Sequence, residues 1–149
     1  MSENIPIRIT GVKPAADFAL MVTFTNGKTF AVDLREPVFR LKALRPLRDA
    51  RAFARADVGE GGHTVVWPGE LDMGADTIYE TALEQNGRAD TVEFLRWRWR
   101  HGLSLNAAAE ALGLARRTIA YYSSGDEEVP RHILLAIKGW ETEHRHAVA

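Results

Sequence analysis

Residues 103–124, LSLNAAAEALGLARRTIAYYSS, carry a spacing that few arrangements satisfy: a small residue, Ala109, then Gly113 four positions on, then the branched Ile119 six beyond that. A small side chain lets two helices cross closely, a glycine turns the chain at little steric cost, and a branched apolar residue plugs the pair. Ala108, Leu112, Leu114 and Tyr122 fall on the remaining inward positions. An isolated alanine-rich helix needs no glycine at a bend, so the joint spacing predicts a helix-turn-helix rather than one long helix.

The flanking residues extend this to about four helices. Asp90 with Glu93 three residues later predicts a capping box, and the helix they open is expected to run to about His101, where Gly102 ends it. Ser104 is a good N-cap for the next helix. Pro130 suits the first turn of a last helix whose Ile133, Ile137 and Trp140 share one stripe. On the first helix Val92, Leu95 and Trp99 form a stripe expected to face the core, as is Tyr122 of the motif's inner set. Trp97 falls off that stripe between arginines and is expected to meet the N-terminal part or a second subunit.

The N-terminal half reads as strands. Ile5 to Val12 alternates apolar and polar residues, and Leu20, Val22 and Phe24 keep a period of two up to Asn26-Gly27, a dipeptide that favours a type I′ hairpin turn. The returning strand is Thr29 to Leu34, with Phe30 and Val32 inward. RLKALRPLRDARAFARA is helix-like but interrupted by Pro46, which predicts two short helices meeting there. A second hairpin, Val58 to Glu60 and Thr64 to Trp67, is expected around Gly61-Gly62, and WPGELDMGADTIYETAL supplies an edge segment and a helix from about Ala75. Trp67-Pro68 reads as a fold determinant. The polar Glu84 to Ala89 separates an N-terminal domain, 1–84, from a helical one, 90–143. The expected class is α+β: antiparallel hairpins with short helices, then an all-α domain.

Composition limits the chemistry. There is no cysteine, which excludes disulfides, thiolate metal sites and cysteine catalysis. No basic stretch precedes an apolar run at the N-terminus, and no segment approaches the roughly 20 apolar residues that span a bilayer, so a soluble, cytoplasmic protein without membrane partners is expected. The net charge is −1, with 8 Lys+Arg against 8 Asp+Glu from Asp90 onward and 11 against 12 before it. Any basic surface must therefore come from placement.

Beyond Asp90 the placement is uneven, arginines first and carboxylates later. No nucleophile with a base, phosphate loop or metal cluster stands out, so neither catalysis nor a cofactor is expected. Gly59 to Gly62 lacks the lysine and helix start of a phosphate loop, and the acidic run Glu70, Asp72, Asp76 and Glu80 suits cap and surface roles. His63 reads as a loop residue. His144, His146 and Glu143 read as solvated residues at a frayed end, with His132 near them in sequence only.

The stretch from about Thr91 to Trp140 resembles the lambda-repressor-like helix-turn-helix DNA-binding domain family, through Leu103, Ser104, Ala109, Gly113, Thr118 and Ile119. It departs from that family at Leu105, where a glutamine is common, and at Ser123-Ser124-Gly125, where a glutamate is common. The opening IRITGVKP, the hairpin VTFTNGKTFAVDL and above all VVWPGELDMGADTIYE make residues 5 to 83 similar to the family known as domain of unknown function 2442. That resemblance implies a small α+β domain, sometimes with a helix-turn-helix attached and sometimes encoded beside candidate toxin genes. It implies no catalytic activity.

In such a motif the helix after the turn enters the major groove and its first residues reach base edges. That placement makes Arg116 and Arg117, with Ala120 and Tyr121 beside them, the candidates for base reading in double-stranded DNA. Ser104, Thr118, Ser124, Arg96 and Arg100 are the candidates for phosphate contact, while Arg98 points elsewhere. The expected role is a homodimeric transcriptional regulator. Two alternatives stand beside it: arginine serves only as the solvated cation of an arginine-rich chain, or the chain is a protein-binding, antitoxin-like module whose helix-turn-helix serves packing or autoregulation.

Overall fold

The computed structural model describes residues 7–148, with side chains to Arg145. The fold is α+β and divides into two compact units at Asn86/Gly87. In the first unit β1 (Ile9–Pro14), β2 (Ala19–Phe24) and β3 (Thr29–Asp33) form one antiparallel sheet, while β4 (Asp57–Val58), β5 (Thr64–Trp67) and β6 (Leu71–Gly74) form another. The alternation of β2 is realised, with Leu20, Val22 and Phe24 fully buried and Met21 exposed. Ile5, expected to start the first strand, lies outside the described residues.

The β2–β3 turn differs from the expected type. Gly27 has φ +84°, but Asn26 is not among the residues with positive φ, and the Gly27 N–H bonds the Phe24 carbonyl at 2.9 Å. The bend therefore centres on Thr25-Asn26, with Gly27 taking the left-handed position behind it. A type I′ turn would need positive φ at both members of the dipeptide. The side chain of Asn26 is used instead, donating to the Tyr79 hydroxyl at 3.0 Å and accepting from the Lys28 N–H at 3.0 Å.

Between the sheets the chain forms three helical pieces rather than the expected two: α1 (Arg35–Arg40), a 3₁₀ segment (Lys42–Arg48) and α2 (Ala50–Phe53). Pro46 sits inside the 3₁₀ segment, whose short turns tolerate a residue lacking an N–H where a long α-helix would not. Arg48 covers the end of α1, donating from Nε to the Val38 carbonyl and from Nη2 to that of Phe39. Asp49 caps α2, accepting from the Arg51 and Ala52 N–H groups. Trp67, on β5, is buried and donates from its indole to the Phe53 carbonyl at 2.9 Å. The helix α3 (Ala75–Gln85) lies against β3, where the Gln85 amide pairs both ways with the Asp33 backbone, at 2.9 and 2.8 Å. This bond pattern mimics a ladder rung on a strand edge.

The second unit is all helix: α4 (Ala89–Arg100), α5 (Leu105–Leu112), α6 (Arg116–Ser124) and α7 (Arg131–Val148). Its core joins Phe94 and Trp97 of α4, Ala108 of α5, Ile119 and Tyr122 of α6, and Ile133 and Ile137 of α7. Two expectations for α4 are corrected. Val92 and Leu95 of the expected stripe are buried, but Trp97 is 1% exposed and Trp99 only half-buried, the reverse of what was expected of the two tryptophans. Asp90 makes no capping box with Glu93: Arg88 is the N-cap residue, and Asp90 instead accepts from the Val129 N–H at 2.7 Å and pairs with Arg88. A long-range backbone donor, absent from any local pattern, has taken the carboxylate.

Candidate functional site

The site is built on α5, the turn after it, and α6. Ser104 caps α5 by accepting from the Ala107 N–H at 3.0 Å. Gly113 ends the helix in the left-handed region, at φ 68° and ψ 34°, and the Leu114 N–H returns to the Ala109 carbonyl at 2.9 Å. Such a closure satisfies carbonyls at the helix end and reverses the chain within three residues. Ala115 then starts α6 with no side-chain cap.

Along α6 the 3.6-residue period separates two faces. Ile119 and Tyr122 point into the core. Arg117, Ala120, Tyr121 and Ser124 share the other side, with Arg116 at its edge: both arginines are exposed, Tyr121 is 38% exposed, and Ala120 and Ser124 are half-buried. Among the described residues no ion pair engages Arg116 or Arg117. Thr118 is half-buried beside this face. The Ser124 hydroxyl is used within the helix end, donating to the Tyr121 carbonyl and accepting from the Asp126 N–H, both at 3.2 Å.

On α4 the two candidate cations differ. Arg96 is exposed, whereas Arg100 donates from Nη1 to Glu141 Oε2 at 2.8 Å. The same oxygen lies 2.8 Å from His101 Nε2. The His101 bond, aided by Arg100 and opposed by burial, holds the Glu141 carboxyl below its ordinary range.

Three features of this unit escaped the sequence reading. Arg98, expected to point elsewhere, is buried: Nε donates to the Leu103 carbonyl and Nη1 to the Ser123 hydroxyl, both at 2.9 Å. Its position four residues after Phe94 on the buried stripe was the available signal. Arg88 reaches the loop behind α6, donating to the Gly125 carbonyl at 2.6 Å and the Glu127 carbonyl at 3.0 Å. Burial pushes the Asp90 carboxyl up, but bonds from Val129, Arg88 and Thr91 outweigh it and hold the group below its ordinary value. His144, expected at a frayed end, lies on a continuous helix with its ring stacked on Trp140 at 4.6 Å and 9°. The His146 side chain lies outside the described residues, among which no group of three metal-ligating side chains occurs.

Among the described residues no helix is long and apolar enough to cross a membrane. No curated protein matches the chain. It is similar to the crystal structure of the Nitrosomonas europaea ATCC 19718 protein named "Putative DNA Binding Protein NE0471", at 36% identity over 95% of this chain and 90% of that one, with a TM-score of 0.67. A family model described as "Protein of unknown function (DUF2442)" matches residues 9–84, through both sheets and nearly all of α3. On that match, which spans just over half of its length, the chain belongs to the DUF2442 family.

Proposed function

We propose that this chain is a DNA-binding transcriptional regulator. In this reading α4 to α7 form a helix-turn-helix domain of the lambda-repressor-like kind, and α6 is the helix that enters the major groove. The observation carrying it is the pair of exposed arginines in the first turn of α6, a helix that buries Ile119 and Tyr122. The Nitrosomonas europaea protein, named for DNA binding, supports it from outside.

The division of labour follows from chemistry. A guanidinium donates two hydrogen bonds to guanine O6 and N7, worth about 1–3 kcal/mol of discrimination for each good pair. Arg116 and Arg117 take that role, with Ala120 and Tyr121 contacting the neighbouring base edges. Arg96, Arg100, Ser104, Thr118 and Ser124 flank the reading face as phosphate contacts. Among present bonds, Arg100 would have to leave Glu141 and Ser124 to loosen its hold on the end of α6. Two copies would place their reading helices about 34 Å apart, one DNA turn, on a pseudo-palindromic site.

The test is selection of genomic DNA fragments by the purified chain at low and moderate salt. Enrichment of a defined fragment by the wild type, lost in Arg116→Ala/Arg117→Ala, supports the reading. No enrichment even at low salt, where phosphate contacts are strongest, overturns it.

A further inference from the structure

The first unit carries a segregation of charge that its near-neutral total hides. Residues 35–55 hold seven Lys or Arg against two carboxylates, Glu36 and Asp49, whereas residues 56–86 hold seven carboxylates and no Lys or Arg. The basic stretch is one structural region: α1, the 3₁₀ segment and α2, consecutive elements tied together by Arg48 and Asp49. Of its apolar residues Val38, Leu44, Leu47 and Phe53 are buried while Phe39 and Leu41 are exposed, so its outward surface is mainly cationic with two large apolar side chains among the cations.

The two carboxylates are already committed. Glu36 pairs with Arg40 at 2.7 Å, and Asp49 Oδ1 accepts from the Arg51 backbone at 2.8 Å. Lys42, Arg45, Arg51 and Arg55 are exposed, and among the described residues no ion pair engages their side chains. Arg35 and Arg48 lie over the half-exposed Phe39 ring, both 5.7 Å from its centroid, which covers the largest exposed apolar group of the region with cations.

We infer that α1, the 3₁₀ segment and α2 form a second DNA-contacting surface, which grips the phosphate backbone through Lys42, Arg45, Arg51 and Arg55. This rests on the DNA-binding reading above and supplies what the helical unit lacks. Non-specific affinity for DNA comes from cations that displace counterions, and the residues from Asp90 onward carry as many carboxylates as cations. Arginine predominates in the basic stretch, and its planar fork suits phosphate oxygens. A lipid surface would instead call for a continuous apolar face to insert, and here the exposed large apolar side chains are Phe39, which lies under two arginines, and Leu41, while Val38, Leu44, Leu47 and Phe53 are turned into the core.

The experiment compares full-length variants on sheared genomic duplex DNA over a range of salt concentrations. Lys42→Gln/Arg45→Gln/Arg51→Gln/Arg55→Gln is expected to weaken binding to all sequences alike. It should flatten the slope of log affinity against log salt by about 0.9 for each phosphate that is no longer neutralised. It should still enrich the fragment that the wild type selects. Arg45→Lys/Arg51→Lys/Arg55→Lys keeps the charges and should keep the wild-type slope, which separates loss of charge from loss of fold. An unchanged slope in the glutamine variant overturns the inference while leaving base reading by α6 intact. Loss of binding to phosphatidylserine vesicles with an unchanged DNA slope reassigns the surface to a membrane and also overturns it. Failure of the wild type to bind duplex DNA at low salt removes both proposals together.

Discussion

The guanidinium of Arg98 donates to the Ser123 hydroxyl at 2.9 Å, so a buried cation of α4 holds the C-terminal end of α6. The same side chain holds the Leu103 carbonyl at the mouth of the α4–α5 loop. Arg98→Met keeps much of the apolar stem but leaves these acceptors without their donor. Each buried unsatisfied partner costs about 1–3 kcal/mol. Urea unfolding of Arg98→Met should show a loss of about 2–4 kcal/mol, and an unchanged midpoint would show that the bonds are replaced.

Asp90 ties the start of α4 to the segment before α7 through the Val129 N–H. Its carboxyl is held below the ordinary value of 3.8 despite burial, because Val129, Arg88 and Thr91 all bond the charged form. The stabilisation is therefore complete above that ordinary value and is lost as pH falls through the lower folded one. Asp90→Ala should cost about 1.5–3 kcal/mol at neutral pH, and its stability curve should lack the part of the acid-side decline that Asp90 supplies in the wild type. Denaturant titrations at several pH values measure both effects.

Gly113 has φ 68°, and no atom lies within 4 Å of the point where a Cβ would stand, so any penalty there comes from the backbone alone. Gly113→Ala should destabilise by about 1–2 kcal/mol, and Gly113→Asn by less, because asparagine tolerates the left-handed region. Thermal unfolding of the two variants side by side tests that ordering.

Glu141 occupies Arg100 and His101 at once. Arg100 is 59% exposed on its side chain, and a pair so exposed contributes at most about 1 kcal/mol, so the larger loss in Glu141→Gln should come from the bond to His101, with both side chains 20% exposed. If Arg100 contacts phosphate, the same change frees it and removes a repelling carboxylate. DNA affinity should then rise, because the bond to Glu141 no longer has to be exchanged for the phosphate. An unaltered affinity would take Arg100 out of the phosphate-binding set.

In the first unit, Trp67 Nε1 supplies the Phe53 carbonyl with a buried donor. Trp67→Phe keeps an aromatic ring but strands that carbonyl and opens space beside Phe53, whose ring lies 5.9 Å away. A loss of about 2–4 kcal/mol is expected by chemical denaturation.

Much of this molecule is legible along the chain because its determinants are near neighbours in sequence. The alternation of Leu20, Val22 and Phe24 decides which face of β2 is buried. The Ser104 cap and the Gly113 turn need only the residues beside them, and the 3.6-residue period places Arg117 opposite Ile119. Tertiary structure decided what such patterns leave open. On α4 the apolar residues Val92, Phe94, Leu95, Trp97 and Trp99 surround most of the helix, so periodicity selects no single face. Only packing against Ile119, Tyr122 and Ile137 puts Trp97 inside. Asp90 could cap its own helix or bond Val129, and Arg98 could be solvated or buried against Ser123. Those choices depend on partners 39 and 25 residues away, whose positions exist only once the helices have packed.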